Sequence, residues 1–521
     1  MNKPLRYGLL GFGVLVVAAG IFGSFYLKTL NPRLKARVVQ ALEERFDADV
    51  DLKTLDVSIF PQPTVEGEDL RIRHHGWDDA HPLIAIHRFR ATTDFLTLAA
   101  TRDRVSFVTL DGMEIHLPPR EAGKPSPLAA HKKGANQLRF LIQTIVAKDT
   151  LLEIEPKKAG KDPLRFDMKE LTLHSVGPGK AMSFVTKLTN AKPPGLIDST
   201  GHFGPWDRDD PRSTPVSGDY TFQHADLGVF TGISGILSSI GEYHGQLQHI
   251  EVNGKTDVPD FSLQPKGDPV HLNTQFHSIV DGTNGDTVLD PVDATFLQSE
   301  FVCRGGVVQQ NGPRGKTVSL DAVAKHARIE DILKLVIGGK KPILTGGVNF
   351  TAKIEIPPGH ERVIEKLKLD GRFALQSANF TNPNVQRRLN ELSERARGIS
   401  KHEADNDGVP TATAASDLRV KFKLDRGTAR FERISFRVPA ALVDLVGTFN
   451  LGNDKIDLNG KFAMQATLSD TQSGIKHWLL KPFDPVFKKD GMGFEVPLSI
   501  AGTKDEPEVG TRVFHKKIQI H

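Results

Sequence analysis

The hydrophobic rhythm of the chain changes twice. Residues 7–27 (YGLLGFGVLVVAAGIFGSFYL) are apolar throughout, carry neither charge nor proline, and lie between Arg6 and Lys28. As a helix the run would rise about 31 Å, enough to cross the hydrocarbon core of a bilayer. It exceeds the roughly 7–15 apolar residues of a secretory signal. Phe25-Tyr26-Leu27-Lys28 is a poor cleavage site, so the pattern predicts an uncleaved transmembrane anchor. Asn31-Pro32 then reads as a helix start, a cap residue followed by proline at the first helical position. Leu34, Val38, Leu42 and Phe46 make one stripe at helical spacing. This predicts a short amphipathic helix that plugs the end of the domain behind it.

After Asp47 the period falls from about 3.6 to 2. Leu164, Phe166 and Met168 alternate with Arg165, Asp167 and Lys169. Val348, Phe350, Ile354 and Ile356 share one face, opposite Asn349, Thr351, Lys353 and Glu355. Leu418, Val420, Phe422 and Leu424 alternate with Arg419, Lys421 and Lys423, and Ile434, Phe436 and Val438 add another row. Such strands have one apolar face and one wet face, as in antiparallel sheet. Asp425-Arg426-Gly427 and Gly452-Asn453-Asp454 are turn signals between alternating runs.

Few helices are expected beyond this. Asn382-Pro383 opens one, Val385, Leu389, Leu392 and Ala396 form its stripe, and Gly398 ends it; it reads as a lid or plug docked on an apolar sheet face. Residues 226–240 and 473–481 are also expected to be helical. The predicted organisation is a tail at 1–6, the anchor at 7–27, and a helix and β region at 28–120. A linker follows at 121–135, a middle β region at 136–325, and a C-terminal β region at 326–521. The last contains helix 383–398 and a polar mobile loop at 401–415 (KHEADNDGVPTATAA). Residues 201–215 are polar, broken by proline, and read as a further loop.

Composition narrows the function. The 521 residues exceed what one compact core holds. Sixty-seven basic against 63 acidic residues leave +4, interspersed, with no polybasic stretch to hold nucleic acid. The single cysteine, Cys303, excludes an intrachain disulfide and reads as a small buried hydrophobe. Thirty Phe against 3 Trp and 4 Tyr supply bulk without a polar handle, which suits an extensive apolar surface.

Catalytic signatures are missing. Asn311-Gly312-Pro313-Arg314-Gly315-Lys316-Thr317 resembles a phosphate loop, but Gln310 stands where the first glycine belongs, and Val318 to Ala324 reads as strand. His74-His75 has no ligand spacing to another His or Cys, and His116 and His174 read as solvated strand positions. Neither His-Glu-x-x-His nor Gly-x-Ser-x-Gly occurs. No enzyme, metal or cofactor is expected.

The segment NPRLKARVVQALEERFDADVDLKTLDVSIFPQPTVEGEDLRI, with its aromatic-proline turn at Phe60-Pro61, resembles the opening of the AsmA family of bacterial envelope proteins. RATTDFLTLAATRDRVSFVTLDGMEIHL, ARIEDILKL, LDGRFALQSANF, NPNVQRRLNELSERARG and VPLSIAGTKDEPEV are similar to further parts of that family. The chain is shorter than the large family members. Lys3 and Arg6 before the anchor, and Lys28, Arg33, Lys35 and Arg37 after it, leave orientation open. The resemblance implies a single-pass inner-membrane protein with its body in the periplasm. It also implies kinship with bridge-like lipid transfer proteins, whose sheets curl into an apolar groove, and a part in phospholipid transport toward the outer membrane and in envelope homeostasis. A one-sided sheet must bury its apolar face by packing or by covering acyl chains. The candidate lipid-facing rows are Val348, Phe350, Ile354 and Ile356; Leu418, Val420, Phe422 and Leu424; and Ile434, Phe436 and Val438. The alternative is a scaffold that carries no lipid and pairs with envelope proteins through its sheet edges, helping to assemble outer-membrane components. An uncleaved anchor predicts that N-terminal sequencing of the mature protein finds a start before residue 7; a start at or beyond Ser24 would show cleavage.

Overall fold

The structure is a computed structural model. It describes residues 35–36, 38–40, 42–43, 48–58, 62–74, 82–95, 97, 104–117, 141–154, 164–177, 179–191, 193–205, 211–264, 266–282, 284–310, 315–339, 341–381, 387, 415–439, 441–464, 495–513 and 516–519. The expected tail 1–6, anchor 7–27, linker 121–135, helix 473–481 and the stripe Val385, Leu389 and Leu392 lie outside the described residues. So do the Phe60-Pro61 turn and residues 401–414 of the expected loop. Ala415 is described, as buried strand. Among the described residues no helix is long and apolar enough to cross a membrane.

The fold is mainly β, and the chain divides into two compact units. One contains the residues up to Val229 with Ile236–Asp257 and Phe276–Thr287; the other contains Phe230–Gly235, Val258–Gln275 and Val288–His521. The division falls inside the expected middle region 136–325.

The first unit contains β1 (Ala48–Ser58), β2 (Thr64–His74), β3 (Ile84–Thr92), β4 (Arg104–Leu117), β5 (Leu141–Ile154), β6 (Leu164–Val176), β7 (Met182–Ala191), β8 (Pro194–Phe203) and β9 (Pro215–Asp226). β10 (Ile233–Ser234) belongs to the second unit, while β11 (Ile236–Gln246) and most of β12 (His249–Leu263) return to the first. β1 to β4 pair antiparallel in sequence order. β4 and β5 pair parallel. From β5 the ladder is antiparallel again through β6, β7, β8, β9, β11 and β12. The helix expected after Asn31 is helical where described between residues 35 and 43, and its Val38 and Leu42 are buried in the core of this unit with Leu52, Leu70, Ile72, Ile86 and Ile145. The stripe therefore covers the apolar face of the first strands.

Three expectations are corrected here. Residues 226–240 are not a helix: a 3-10 turn at Leu227–Val229 leads into β10 and β11. Gly232 (φ 101°) and Gly235 (φ 135°) leave the helical region. β11 is hydrogen-bonded along both edges, to β9 and β12, and two ladders outweigh a local helical preference. The loop expected at 201–215 begins only after Phe203, where β8 ends. His116 is buried between Glu114 and Glu153 rather than solvated.

The second unit continues with β13 (Val270–Asp281), β14 (Asp286–Phe296), β15 (Ser299–Val308), β16 (Thr317–Arg328), β17 (Leu344–Thr345), β18 (Gly347–Ile356), β19 (Lys368–Phe380), β20 (Ala415–Asp425), β21 (Thr428–Val438), β22 (Ala441–Asn450), β23 (Lys455–Met464), β24 (Glu495–Thr503), β25 (Pro507–Val513) and β26 (Lys516–Gln519). β13 and β14 begin or end across the division. β15, β16 and β18 to β26 form one antiparallel ladder. Helix α1 (Ile329–Ile337) follows β16, and the single turn α2 (Val363–Lys366) joins β18 to β19.

Helix α1 fits its position for local reasons. Glu330 and Asp331 occupy its first turn, where the helix dipole favours acids. Gly338 (φ 59°) ends it and donates to the carbonyls of Leu333 and Lys334. Ile329, Ile332, Leu333 and Leu335 pack on the apolar face of the sheet. The buried Asp331 carboxylate accepts from Ser299 Oγ (2.7 Å) and the Gln298 amide (3.0 Å), which fixes the helix to the start of β15.

Contacts at the far end of α1 measure the curvature of the unit. Lys504, in the β24–β25 turn, donates from Nζ to the Ile337 carbonyl at 3.2 Å. β24 lies seven strands along the ladder from β16. A flat ladder would separate the two by about 34 Å at roughly 4.8 Å per strand. The nine residues of α1 rise only about 13 Å. The sheet of this unit therefore curls around its apolar face, and α1 bridges the chord.

Phe462 is 2 % exposed within this curl, whereas Val446, on the opposite face, is 52 % exposed. Phe462→Ala should cost about 3–5 kcal/mol by lost transfer energy and cavity formation, and Val446→Ala less than about 0.5 kcal/mol. Urea unfolding monitored through the second unit measures the difference; equal midpoints would show that Phe462 does not lie in a closed core.

Candidate functional site

The register brings the candidate rows of the second unit together. Phe350 faces Phe373 of β19, which faces Val420, then Ile434 and then Leu445. One step along, Ala352, Gly371, Phe422, Phe431, Gly447 and Leu458 line up. Ile354 continues through Leu369 to Leu424 and Ala429. Phe301–Phe350 and Phe373–Phe422 meet edge to face at 6.0 Å, and Phe422–Phe431 tilt together at 6.1 Å. The expected residues thus share one face, but burial divides them. Val348, Leu418, Val420, Leu424, Phe436 and Val438 are buried, whereas Phe350, Ile354, Ile356, Phe422 and Ile434 are half-buried.

The other face of the same strands is wet and laced with ion pairs. Lys421 (2.6 Å) and Lys423 (3.0 Å) both reach Glu432, Lys368 reaches Glu355 (3.0 Å), and Arg433 reaches Asp444 (3.0 Å). Hydrogen bonds from Lys421 and then Lys423 hold the Glu432 carboxyl below its usual range, and Glu432 raises Lys423 in turn. These pairs are exposed and screened, so they set orientation more than stability.

The first unit carries a second apolar face, which the sequence reading did not single out. One row runs Ala91, Val108, Ile145, Leu173, Phe184, Gly201, Gly218, Tyr243, Val252 from β3 to β12. The next runs Phe89, Leu110, Ala147, Leu171, Thr186, Ser199, Tyr220, Gly241, Gly254. Up to β5 these side chains are buried, with Val38 and Leu42 among them. From β6 onward the large ones, Leu171, Leu173, Phe184, Tyr220, Tyr243 and Val252, are only half-buried. The same rows therefore pass from a covered core to a partly open floor.

That floor is kept shallow by glycine. A Cβ at Gly218 would lie 2.8 Å from the Tyr243 hydroxyl, and one at Gly254 would lie 2.8 Å from that of Tyr220. Both rings therefore lie across cross-strand glycines. Their hydroxyls find partners within the sheet: Tyr243 with Ser199 Oγ (2.8 Å), and Tyr220 with Ser239 Oγ (3.1 Å). Ser199 donates onward to the Asp219 carbonyl and Ser239 to the Lys255 carbonyl. The apolar floor thus contains polar atoms without leaving these hydroxyls unpaired. The signal lay in the segments STGHF, SGDYTF and GEYHG, where Gly and Ser take the inward positions and mask the alternation.

Among the described residues no group of three or more His, Cys, Asp and Glu side chains is placed to hold a metal ion. Cys303 is half-buried, and burial raises its thiol pKa, which disfavours the reactive thiolate. No family model, curated protein or solved structure matches the chain.

Burial pushes the phenols of Tyr220 and Tyr243 above their ordinary value, against the pull of the Ser239 and Ser199 hydroxyls. A raised folded-state pKa means that the native state holds the proton longer. Their contribution to stability is full below the unfolded value of about 10 and is lost as pH rises through the folded value. Phenolate absorbance should show a late phase above pH ~10 that disappears in Tyr220→Phe/Tyr243→Phe; loss of amplitude only from the ordinary phase near pH ~10 in the double variant would place both rings in solvent.

Proposed function

We propose that the chain binds lipid acyl chains along its apolar sheet faces. In this reading residues 7–27 tether it to the inner membrane of a double-membraned bacterium, and the body works in the periplasm. There it contributes to phospholipid transport toward the outer membrane and to envelope homeostasis. The supporting observation is the half-buried floor from β6 to β12 in the first unit, continuous with a core that the chain covers itself. Six strands (β6 to β9, β11 and β12) at roughly 4.8 Å give about 24 Å of floor. One leaflet's chains occupy about half of a 30 Å hydrocarbon core, so the floor is long enough for a chain lying across the strands. Burial at about 25 cal/mol per Å² supplies the affinity, and no covalent step is required.

In the second unit, six of the eleven expected residues are buried by the chain itself, which favours the second reading there. That reading is a packed scaffold whose sheet edges pair with envelope proteins and which carries no lipid.

Mass spectrometry of gently solubilised protein should find copurified phospholipid. Photo-crosslinkers at Phe184 and Val252, on the floor, should capture lipid several-fold more than crosslinkers at Val185 and Asn253, on the opposite face of the same strands. In the second unit, Phe350 and Phe422 should exceed Lys353 and Lys421. Capture that is equal on both faces, or protein free of lipid, would favour the scaffold.

A further inference from the structure

The Asp425-Arg426-Gly427 turn has a feature that hairpin formation does not require. Asp425 pairs with Thr428, so Arg426 and Gly427 are the two loop residues. Their φ values are 47° and 67°. Such a turn favours Asn, Asp or Gly at its first position. An arginine there adopts left-handed backbone at a steric cost, and strain of this kind points toward a role for the side chain.

Arg426 lines a cavity of about 180 Å³ in the second unit. Leu263, Val336, Ile364 and Leu451 make an apolar wall. The other cations of the lining have partners: Lys266 binds Asp454 at 2.8 Å, and Arg362 pairs with Glu365 one turn along α2. Among the described residues Arg426 has no carboxylate partner. Glu365 also lines the cavity and neutralises Arg362, so the exposed Arg426 supplies the cavity's one guanidinium without a carboxylate partner among the described residues, opposite an apolar wall. The cavity has room for several waters, hence for a phosphate group and the few carbons attached to it, but not for an acyl chain.

We propose that this cavity binds a phosphate ester, with Arg426 as the anion contact and the apolar wall against the esterified carbons. Guanidinium groups suit this ligand because their planar N–H donors match phosphate oxygens. That the phosphate is borne by a phospholipid rests on the lipid-binding reading above; a soluble glycerol phosphate presents the same chemistry.

The test uses the full chain purified in detergent, titrated calorimetrically with glycerol 3-phosphate and with dihexanoyl phosphatidic acid. The wild type should bind at least one of these probes, more weakly at higher salt. Arg426→Asn should melt at or above the wild-type temperature, because asparagine relaxes the turn, yet should bind at least tenfold more weakly. Arg426→Lys should retain part of the affinity. Tighter binding of the dihexanoyl lipid identifies a lipid headgroup as the ligand, and equal binding identifies a soluble ester. If no phospholipid copurifies but glycerol phosphate binding still depends on Arg426, the lipid reading falls and the phosphate site stands. Absence of binding to both probes, or unchanged affinity in Arg426→Asn, would overturn the proposal.

Discussion

An antiparallel ladder with one apolar face has to place that face somewhere. Backbone hydrogen bonds satisfy the strands edge to edge, but they do nothing for the side chains that point to one side. In the second unit the alternation puts Val, Leu, Ile and Phe on one face of β18 to β21 and Lys, Arg, Asp and Glu on the other. Cross-strand pairs such as Lys368–Glu355 and Arg433–Asp444 keep the second face in water. Everything else in the architecture responds to the first face.

The two units meet this demand differently. In the second, the sheet curls until the β24–β25 turn reaches the C-terminal carbonyls of α1, and the helix fills the concavity. Leu375, Val443 and Phe462 become a closed core. In the first, among the described residues, Val38 and Leu42 pack in the core with the early strands. Beyond β5, Gly201, Gly218, Gly241 and Gly254 sit where large side chains would otherwise build a ridge, and two tyrosine rings lie over Gly218, Gly241 and Gly254. The result is a low floor whose hydroxyls are already paired. Such a surface can take apolar matter without exposing unsatisfied polar atoms to it.

The ends of the strands carry a different chemistry from their faces. The α1 C-terminus collects donors from distant turns, the Asp268 amide and Lys504 Nζ as well as its own Gly338 amide. Lys266 and Lys504 share Asp454, at 2.8 and 4.0 Å. Charge is thus gathered and mostly neutralised at the turns, which leaves Arg426 conspicuous beside an apolar wall.

The amino-acid order alone determined the strands, because a period of two is a local property that each strand carries by itself. It placed β18, β20 and β21, their shared apolar face, the wet face opposite and the turn at Asp425–Gly427. The stripe through Val38 and Leu42 was equally legible. It did not show the floor from β6 to β12, since glycine and serine at inward positions register as polar noise until a tyrosine from the next strand lies over them. Nor did it show that residues 233–240 are largely strand, because a local helical preference competes with ladders whose partners, β9 and β12, are defined only by the fold. Which of the expected residues are closed off and which stay half-open was decided by curvature. Curvature is the sum of twists over many strands, and no single segment encodes it.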